Sequence, residues 1–355
     1  MKKIGILTFH YVDNYGAVLQ AYALRKILNG FDGYKAEIIN YVPEEYEYRT
    51  YLEDDLIELF LERRKKFKTF IGEKCAVTSP MIHTLKGVSY DYYCVGSDQV
   101  WNLSLPEAKS GVYFLGGLDS KAIKFSYAAS IGMDLDKINK DLFRQYISQF
   151  SHVGIREQSH IKGLSDCCHV GCVHNIDPTL LLVREDYEAL IDSYGEELPG
   201  DGEPYVLYVW YGDDSLQSIE CVNTVARKYE LTVLHNFSST RIITRKMLCR
   251  DGGYIFNKGI EEFLWYVKHA AFVVTNSYHV GIFSIIFERP VYFYAIEGKV
   301  RQEDLTEILG IENRMIRGYI KPDDINENID FESVHGVIKE LRERSLSYLR
   351  DVLQA

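Results

Sequence analysis

The segment from Thr275 to His279 places polar side chains where an α/β protein can use them for chemistry. It follows the apolar run 272–274, which predicts a buried strand, and it precedes a helix rich in small and apolar residues. Ligands of open α/β sheets bind at the carboxyl ends of strands, and a helix amino terminus suits an anion. His279 is therefore a candidate proton donor or phosphate ligand, with Asn276 and Ser277 beside it. The alternative is structural: Asn276 and Ser277 cap the helix, and His279 makes a buried polar contact.

The elements that would position this segment alternate between strand and helix. Apolar runs predict strands at 3–9, 36–42, 91–95, 123–128, 153–156, 205–210, 231–235, 272–275 and 291–295. Helical periodicity predicts helices at 17–28, 53–70, 215–229 and 260–270, and an amphipathic helix at the carboxyl end. Acidic residues early and basic residues late in 53–70 favour a solvated helix that matches its dipole. This alternation predicts parallel sheets covered on both faces.

The stretch 184–204 turns acidic and then rich in Gly and Pro, which indicates an interdomain linker. The predicted organisation is an amino-terminal domain over 1–190, a second domain over 204–330 and a final helix over 331–355. Two Rossmann-like domains facing each other across a cleft is the fold class that follows.

Composition limits the classes of function. The 355 residues carry a formal net charge of −11, which argues against general nucleic-acid binding but not against an anionic substrate. The chain starts without a signal peptide and contains no apolar run of membrane-spanning length, so we predict a cytoplasmic protein. Cys167, Cys168 and Cys172 lie near His169 and His174, but their spacing matches no standard zinc pattern. Buried thiols are the favoured interpretation, and no metal is predicted.

Several segments recur in an order that resembles the polysaccharide pyruvyltransferase family. They are TFHYVDNYGAVLQAYAL from residue 8, CVGSDQVWN from 94, FSYAASIG from 125, VGIRE from 153, IDPTLLL from 176 and EEFLWYVKHAAFVVTNSYHVGIFSIIFERP from 261. The resemblance covers most of the chain. It implies a GT-B-like fold and transfer of a pyruvyl group from phosphoenolpyruvate to two hydroxyls of one sugar, forming a cyclic ketal. Phosphoenolpyruvate would be the donor substrate, and no cofactor is implied.

The donor carries a carboxylate and a phosphate, so its site needs an anion clamp and a general acid. His279 matches the family histidine and is the candidate acid, because histidine changes charge near neutral pH. Arg156 matches a family arginine that holds the donor, although an ion pair with Glu157 or another acid would also explain it. Lys299 stands where family members carry a functional lysine, with a solvated surface lysine as the alternative. Several members have an arginine where this chain has Ser277, which leaves one hydrogen-bonding group in place of a charge.

The resemblance assigns the acceptor to the amino-terminal domain. His10, Asn14 and Tyr15 lie in the loop after the first strand, and Asp13 in the same loop is a candidate base for an acceptor hydroxyl. Asn14 is also close enough to the helix to be its cap. A second loop contributes two candidate acceptor ligands. They are Asp98 and Trp101, the latter either stacking on a sugar or buried in the core.

Three functions stay open on the sequence alone. The first is pyruvyl transfer to a glycan or a lipid-linked oligosaccharide, the latter used at the inner face of the membrane through peripheral contact. The second is glycosyl transfer from a nucleotide sugar on the same fold, for which Glu261 or Glu262 would bind the ribose. The third is a non-catalytic, glycan-binding accessory protein.

Overall fold

The computed structural model describes residues 1–47, 57–108, 111–116, 118, 121–194, 202–212, 215–237, 247–295 and 300–354. The chain forms two compact units. Unit 1 comprises Met1–Thr50, Thr69–Leu182 and Ile338–Ala355, and unit 2 comprises Tyr51–Lys68 and Val183–Val337. Within the described ranges, no helix is both long and apolar enough to cross a membrane.

Unit 1 is built on a parallel sheet in which six strands are described, in the order β2-β1-β3-β4-β5-β6. They are β1 Lys2–Leu7, β2 Tyr34–Ile38, β3 Tyr92–Val95, β4 Ile123–Ala129, β5 His152–Ile155 and β6 Cys172–His174. Every residue of β3 is buried, as expected for a central strand of a parallel sheet. The apolar runs predicted β1 to β5. They missed β6, because its three residues are at least partly exposed and lack an apolar run.

Unit 2 repeats this architecture with described strands in the order β12-β11-β10-β7-β8-β9, all parallel. They are β7 Tyr205–Trp210, β8 Thr232–Phe237, β9 Asp251–Tyr254, β10 Phe272–Thr275, β11 Val291–Tyr294 and β12 Met315–Ile316. The predicted strands β7, β8, β10 and β11 are confirmed. The edge strands β9 and β12 went unpredicted, since one is polar and glycine-rich and the other has two residues.

The helices accompany these strands along the chain. They are α1 Tyr15–Leu28, α2 Glu44–Glu47, α3 Ile57–Lys74, α4 Lys140–Ile147, α5 Ile161–Cys168, α6 Arg184–Asp192, α7 Leu216–Lys228, α8 Ile260–His269, α9 Tyr278–Ile286, α10 Val300–Ile308 and α11 Phe331–Gln354. Helix α6 occupies the first part of the predicted linker, and the chain leaves unit 1 at Leu182. Helix α11 is shared, because unit 1 contains its residues from Ile338 onward.

Helix α3 is only in part the solvated helix that its charges predicted. Arg63 is only 4% exposed and donates from Nη1 to the Phe256 carbonyl at 2.9 Å, while Phe67 and Phe70 are buried. These three side chains recur at helical spacing and form one buried stripe, made of two phenylalanine rings and the guanidinium of Arg63. The order of charges along α3 conceals this stripe, so the predicted solvated helix has one buried side, while its other residues are exposed or partly exposed. The predicted residues 53–56 lie outside the described residues.

The seven cysteines are free thiols. Cys167 and Cys168 approach each other to 3.4 Å between sulfur atoms at the end of α5. Burial raises the pKa of the Cys168 thiol to about 12, with further contributions from Cys167 and Cys172. The described residues contain no group of three or more His, Cys, Asp or Glu side chains placed to hold a metal ion. Cys168 is buried, as predicted, whereas Cys167 and Cys172 are partly exposed, so the prediction of buried thiols is confirmed for Cys168 alone.

Candidate functional site

The junction between β10 and α9 in unit 2 has the predicted form of a buried strand followed at once by a capped helix. Thr275 Oγ1 donates to the Val209 carbonyl at 2.7 Å and accepts from the Ser277 N–H at 2.9 Å. Ser277 is the helix cap and accepts from the Val280 N–H at 3.5 Å. The structural interpretation of Ser277 as a cap is confirmed. Its hydroxyl lies among the first N–H groups of α9, where an anion would be stabilised.

Asn276 is held in place by the segment that follows the neighbouring strand β7. Its side-chain amide donates to the Tyr211 carbonyl at 2.8 Å, and its Oδ1 accepts from the Tyr211 N–H at 2.9 Å. Its own carbonyl accepts from Gln302 Nε2 at 2.6 Å. One residue therefore ties together the segments that follow β7 and β10 and the first turn of α10. Asn276 is not the helix cap, and its amide positions a loop; a direct contact of Asn276 with a donor stays a prediction.

His279 is the second residue of α9 and is only 6% exposed. Its ring meets the ring of Tyr278 edge to face, with centroids 5.2 Å apart. Arg301, near the start of α10, lies with Cζ 5.8 Å from the centroid of the Tyr278 ring. Arg301 thus brings a positive charge against Tyr278 in the first turn of α9, where Ser277 itself supplies none. Lys299, the other predicted cation, lies outside the described residues.

Glu262, one of the two acids suggested for ribose binding, has a structural role. Glu262 Oε2 accepts from the Gly259 N–H at 2.7 Å and pairs with Lys66 Nζ at 2.9 Å, and Oε1 lies 3.4 Å from Lys258 Nζ. Burial pushes the pKa of Glu262 upward, but the hydrogen bond and the two lysines outweigh it and hold the pKa below 4.5. Glu262 is therefore an ionised helix-capping residue, and its carboxylate is committed to these partners.

In unit 1, the loop after β1 begins with a buried histidine. His10 is 1% exposed, with Nδ1 3.2 Å from the Thr8 carbonyl and Nε2 3.2 Å from Asn40 Oδ1. Burial lowers the pKa of His10, and these two contacts offset the effect only in part. The imidazole is therefore neutral near pH 7. Asp13, three residues later, is partly exposed and remains the candidate base of this loop.

Three predicted acceptor ligands have structural roles. Asn14 is the cap of α1, since its Oδ1 accepts from the N–H groups of Gly16 at 3.0 Å and Ala17 at 3.2 Å. Tyr15 and Trp101 are both 0% exposed. The Trp101 indole donates to the Tyr113 carbonyl at 3.1 Å and is stacked on a phenylalanine of the core. Burial removes the faces of these two rings from any sugar, so stacking by Trp101 and contact by Tyr15 were wrong predictions.

The carboxyl ends of β3, β5 and β6 meet in a buried cluster of charged side chains. Arg156 Nη1 donates to Asp177 Oδ2 at 2.9 Å, and its other guanidinium nitrogens lie 4.0 Å from Asp98 Oδ1 and Glu157 Oε1. The Arg156 side chain is 2% exposed and that of Asp177 is 0% exposed. The alternative of an ion pair is thus confirmed for Arg156. One guanidinium among three carboxylates gives a locally negative environment, which disfavours the binding of an anionic ligand at this cluster.

Further hydrogen bonds hold the Asp177 and Glu157 carboxylates of this cluster in place. Asp177 Oδ1 accepts from Thr179 N at 3.0 Å and from its Oγ1 at 2.7 Å. Glu157 accepts from the Ser130 hydroxyl and from the Ile131 N–H. Sequence reasoning did not select Ser130, Glu157 or Asp177 as functional candidates. The available signal was the Asp-Pro pair of IDPTLLL, which places a short acidic side chain just after a strand.

Two parallel α/β units, each with polar residues at the carboxyl edge of its sheet, define a GT-B-like scaffold. The sequence model of the family described as polysaccharide pyruvyl transferase matches residues 14–298. The chain therefore belongs to the polysaccharide pyruvyl transferase family. No curated protein matches the sequence significantly.

Solved structures show the same fold at low sequence identity. UDP-N-acetylglucosamine 2-epimerase from Rickettsia bellii is similar with a TM-score of 0.55 and 12% identity, over 100% of this chain and 96% of that one. UDP-GlcNAc 2-epimerase from Neisseria meningitidis, bound to UDP-GlcNAc, has a TM-score of 0.53 and 11% sequence identity, over 98% of this chain and 94% of that one. MnaA of S. aureus with UDP has a TM-score of 0.51 and 12% sequence identity, over 98% of this chain and 90% of that one. These likenesses establish the fold class and leave the substrate to other evidence.

Proposed function

We propose that this protein transfers a pyruvyl group from phosphoenolpyruvate to two hydroxyls of one sugar in a cell-surface polysaccharide precursor, which forms a cyclic ketal. The observation that carries the proposal is the family match over residues 14–298, which includes the β10–α9 junction with His279. That match supports a polysaccharide-modifying transferase, and the donor and the ketal are our extension of it. The chemistry requires neither a metal nor a cofactor.

The donor assignments rest on unit 2. The amino terminus of α9, with the Ser277 hydroxyl, offers hydrogen-bond donors to a phosphate or carboxylate. Arg301 near Tyr278, together with Lys299, would supply positive charge. His279 would act as the general acid that protonates the methylene carbon of phosphoenolpyruvate. Asn276 would contribute mainly by holding Tyr211 and Gln302 in place.

The acceptor assignments rest on unit 1. Asp13 and Asp98 are the acids at the carboxyl edge that keep some exposure, and carboxylates suit sugar hydroxyls. His10 and Asn14 shape the loop from which Asp13 projects. A lipid-linked oligosaccharide acceptor would bring the protein to the inner face of the membrane by peripheral contact, whereas a free glycan precursor would not.

Glycosyl transfer from a nucleotide sugar is the second candidate. The observation in its favour is that similar structures were solved with UDP or UDP-GlcNAc. Against it stands Glu262, whose carboxylate is occupied by Gly259 and two lysines. A non-catalytic glycan-binding protein is the third candidate, and it predicts no donor binding at all.

Calorimetric titration separates these three candidates. The purified protein is titrated with phosphoenolpyruvate and, separately, with UDP-GlcNAc, and both titrations are repeated on His279→Ala and Ser277→Ala. His269→Ala is the matched control, because His269 is an exposed histidine at the end of α8 in the same unit. We expect saturable binding of phosphoenolpyruvate that weakens in the two α9 variants and not in the control. Binding of UDP-GlcNAc alone would replace pyruvyl transfer by glycosyl transfer, and binding of neither would support the accessory protein.

A further inference from the structure

Asp98 has one carboxylate oxygen that the described part of the chain leaves without a partner. Its Oδ1 accepts from the Gln99 N–H at 2.8 Å and faces Arg156 Nη2 at 4.0 Å. Oδ2 makes no hydrogen bond or ion pair with the described residues. Asp98 is nevertheless only 8% exposed. The Asp98 side chain keeps 11% of its surface exposed, and Oδ2 is not among the fully buried atoms that lack a hydrogen bond, so a donor from outside the protein can reach this oxygen.

The backbone holds this carboxylate in a defined place. Asp98 has φ of 67°, and its carbonyl accepts from the N–H groups of Val100 at 2.8 Å and Ser130 at 2.9 Å. The preceding residue is fixed as well, because Ser97 donates to the Ala128 carbonyl at 2.7 Å and its carbonyl accepts from Thr8 Oγ1 at 2.8 Å. A positive φ is uncommon for residues other than glycine, asparagine and aspartate. The loop therefore presents the acid from a rigid position at the end of β3.

Arg156 explains why the acid stays in this orientation. Its Nη1 is held by the buried Asp177 at 2.9 Å, which leaves Nη2 on the side of Asp98 Oδ1. The guanidinium thus stands behind one oxygen of Asp98, and the other oxygen is left for a donor. Because Asp177 already compensates the charge of Arg156, the pair positions Asp98 without making the edge of the sheet cationic.

We propose that Asp98 Oδ2 is the general base that accepts the proton of the attacking sugar hydroxyl, and that Arg156 is the residue that positions it. The inference rests on the proposed pyruvyl transfer. The hydroxyl oxygen forms a bond to the C2 carbon of phosphoenolpyruvate, its proton passes to Asp98 Oδ2, and the C3 methylene takes a proton from a general acid. The oxygen of the second hydroxyl then forms a bond to C2, the C2–O bond to phosphate breaks, and the phosphate leaves with the electron pair of that bond and takes up the proton of the second hydroxyl. Asp98 returns its proton to solvent, which restores the general acid.

The test compares Asp98→Asn with a matched surface variant. Asparagine also tolerates a positive φ, so the backbone is preserved while the basic oxygen is lost. Asp136→Asn is the control, because that side chain is 98% exposed and belongs to the same unit. Asp98→Gly, which equally suits the backbone, replaces the asparagine variant if it does not fold. The test sugars are the methyl pyranosides of glucose, galactose, mannose and N-acetylmannosamine, each with free 4- and 6-hydroxyls.

Two readouts are taken with these sugars. Saturation-transfer NMR measures sugar binding, and release of phosphate from phosphoenolpyruvate measures turnover with the best binder. We expect Asp98→Asn to lower kcat about 100-fold or more, which is the ordinary contribution of general-base catalysis. The Kd for phosphoenolpyruvate should stay within about twofold of wild type, a factor worth less than 0.5 kcal/mol. Arg156→Lys should restore part of the kcat that Arg156→Gln loses.

Failure of this inference can be told apart from failure of the proposed function. Asp98→Asn with wild-type kcat, or wild-type protein that binds none of the four sugars, would overturn the role of Asp98 while leaving donor binding intact. If the protein binds a sugar in an Asp98-dependent way but never binds phosphoenolpyruvate, pyruvyl transfer is wrong and Asp98 is a sugar ligand of another reaction. Equal kcat in the lysine and glutamine variants of Arg156 would remove its positioning role.

Discussion

Replacing Asn276 by alanine tests whether this residue acts by organising its loop. The variant removes both hydrogen bonds to the backbone of Tyr211, at 2.8 and 2.9 Å, and leaves the carbonyl bond from Gln302 in place. Asn276 is 3% exposed, so water cannot freely replace the lost amide. We expect a clear loss of stability together with an altered loop after β7.

The magnitude follows from those two bonds. Each neutral hydrogen bond is worth about 1 kcal/mol net, and a buried group left without a partner adds about 1–3 kcal/mol. Some relaxation of the partly exposed Tyr211 reduces the second contribution. We therefore expect the free energy of unfolding to fall by about 2–4 kcal/mol.

A second asparagine of unit 2 provides the matched control. Asn223 is also 3% exposed, and it grips a neighbouring segment in the same way, donating to the Met247 carbonyl at 2.9 Å and accepting from the Cys249 N–H at 2.9 Å. Asn223→Ala should lose a similar free energy by urea unfolding. At a temperature where both variants are folded, calorimetry with phosphoenolpyruvate should show weaker binding in Asn276→Ala alone, because only this loop adjoins α9.

Two results would contradict this reasoning. A loss of less than about 0.5 kcal/mol in Asn276→Ala, the ordinary range of a surface change, would mean that the two bonds do not organise the loop. Equal donor affinity in both asparagine variants would mean that the position of Tyr211 has no bearing on the donor site.

Three further predictions concern packing and charge. A Cβ added to Gly281 would lie 1.9 Å from Cε1 of Phe293, so Gly281→Ala should lower the free energy of unfolding in urea by about 1–3 kcal/mol. Gly336→Ala is the control, because nothing lies within 4 Å of its added Cβ, and it should raise this free energy by about 0.4–1 kcal/mol. Equal effects of the two variants would refute the packing argument. Because burial lowers the pKa of His10, the unfolded chain binds more protons, and stability should fall as pH drops below 6.5; in His10→Gln this decline should be shallower. Glu262→Gln should cost about 1–2 kcal/mol at pH 7, and the difference should shrink as pH falls below 4.5, since the lowered pKa stabilises the ionised form. A difference that does not depend on pH would indicate lost packing.

The two sheets were predictable because buried parallel strands leave continuous apolar runs in the sequence. The β10–α9 junction was predictable for a second reason, since a small polar cap follows such a run directly. The individual side chains at the edge were less predictable. Trp101 and Tyr15 have residue types common in sugar sites, but residue type does not record which way a ring points. The pairing of Arg156 with Asp177 joins two separate strand ends, and no local pattern encodes it.

Helix α11 has a consequence for the order in which the chain can fold during synthesis. Its later part belongs to unit 1, where Tyr348 donates to the Ser126 carbonyl at 2.8 Å and Ser345 accepts from the Ile176 N–H at 3.1 Å. A ribosome that has released residues 1–182 has therefore not yet made a helix that unit 1 needs. Both segments of unit 2, Tyr51–Lys68 and Val183–Val337, are made before residue 338, whereas unit 1 must wait for the last segment. The half of the protein that is translated first is thus the half that is completed last.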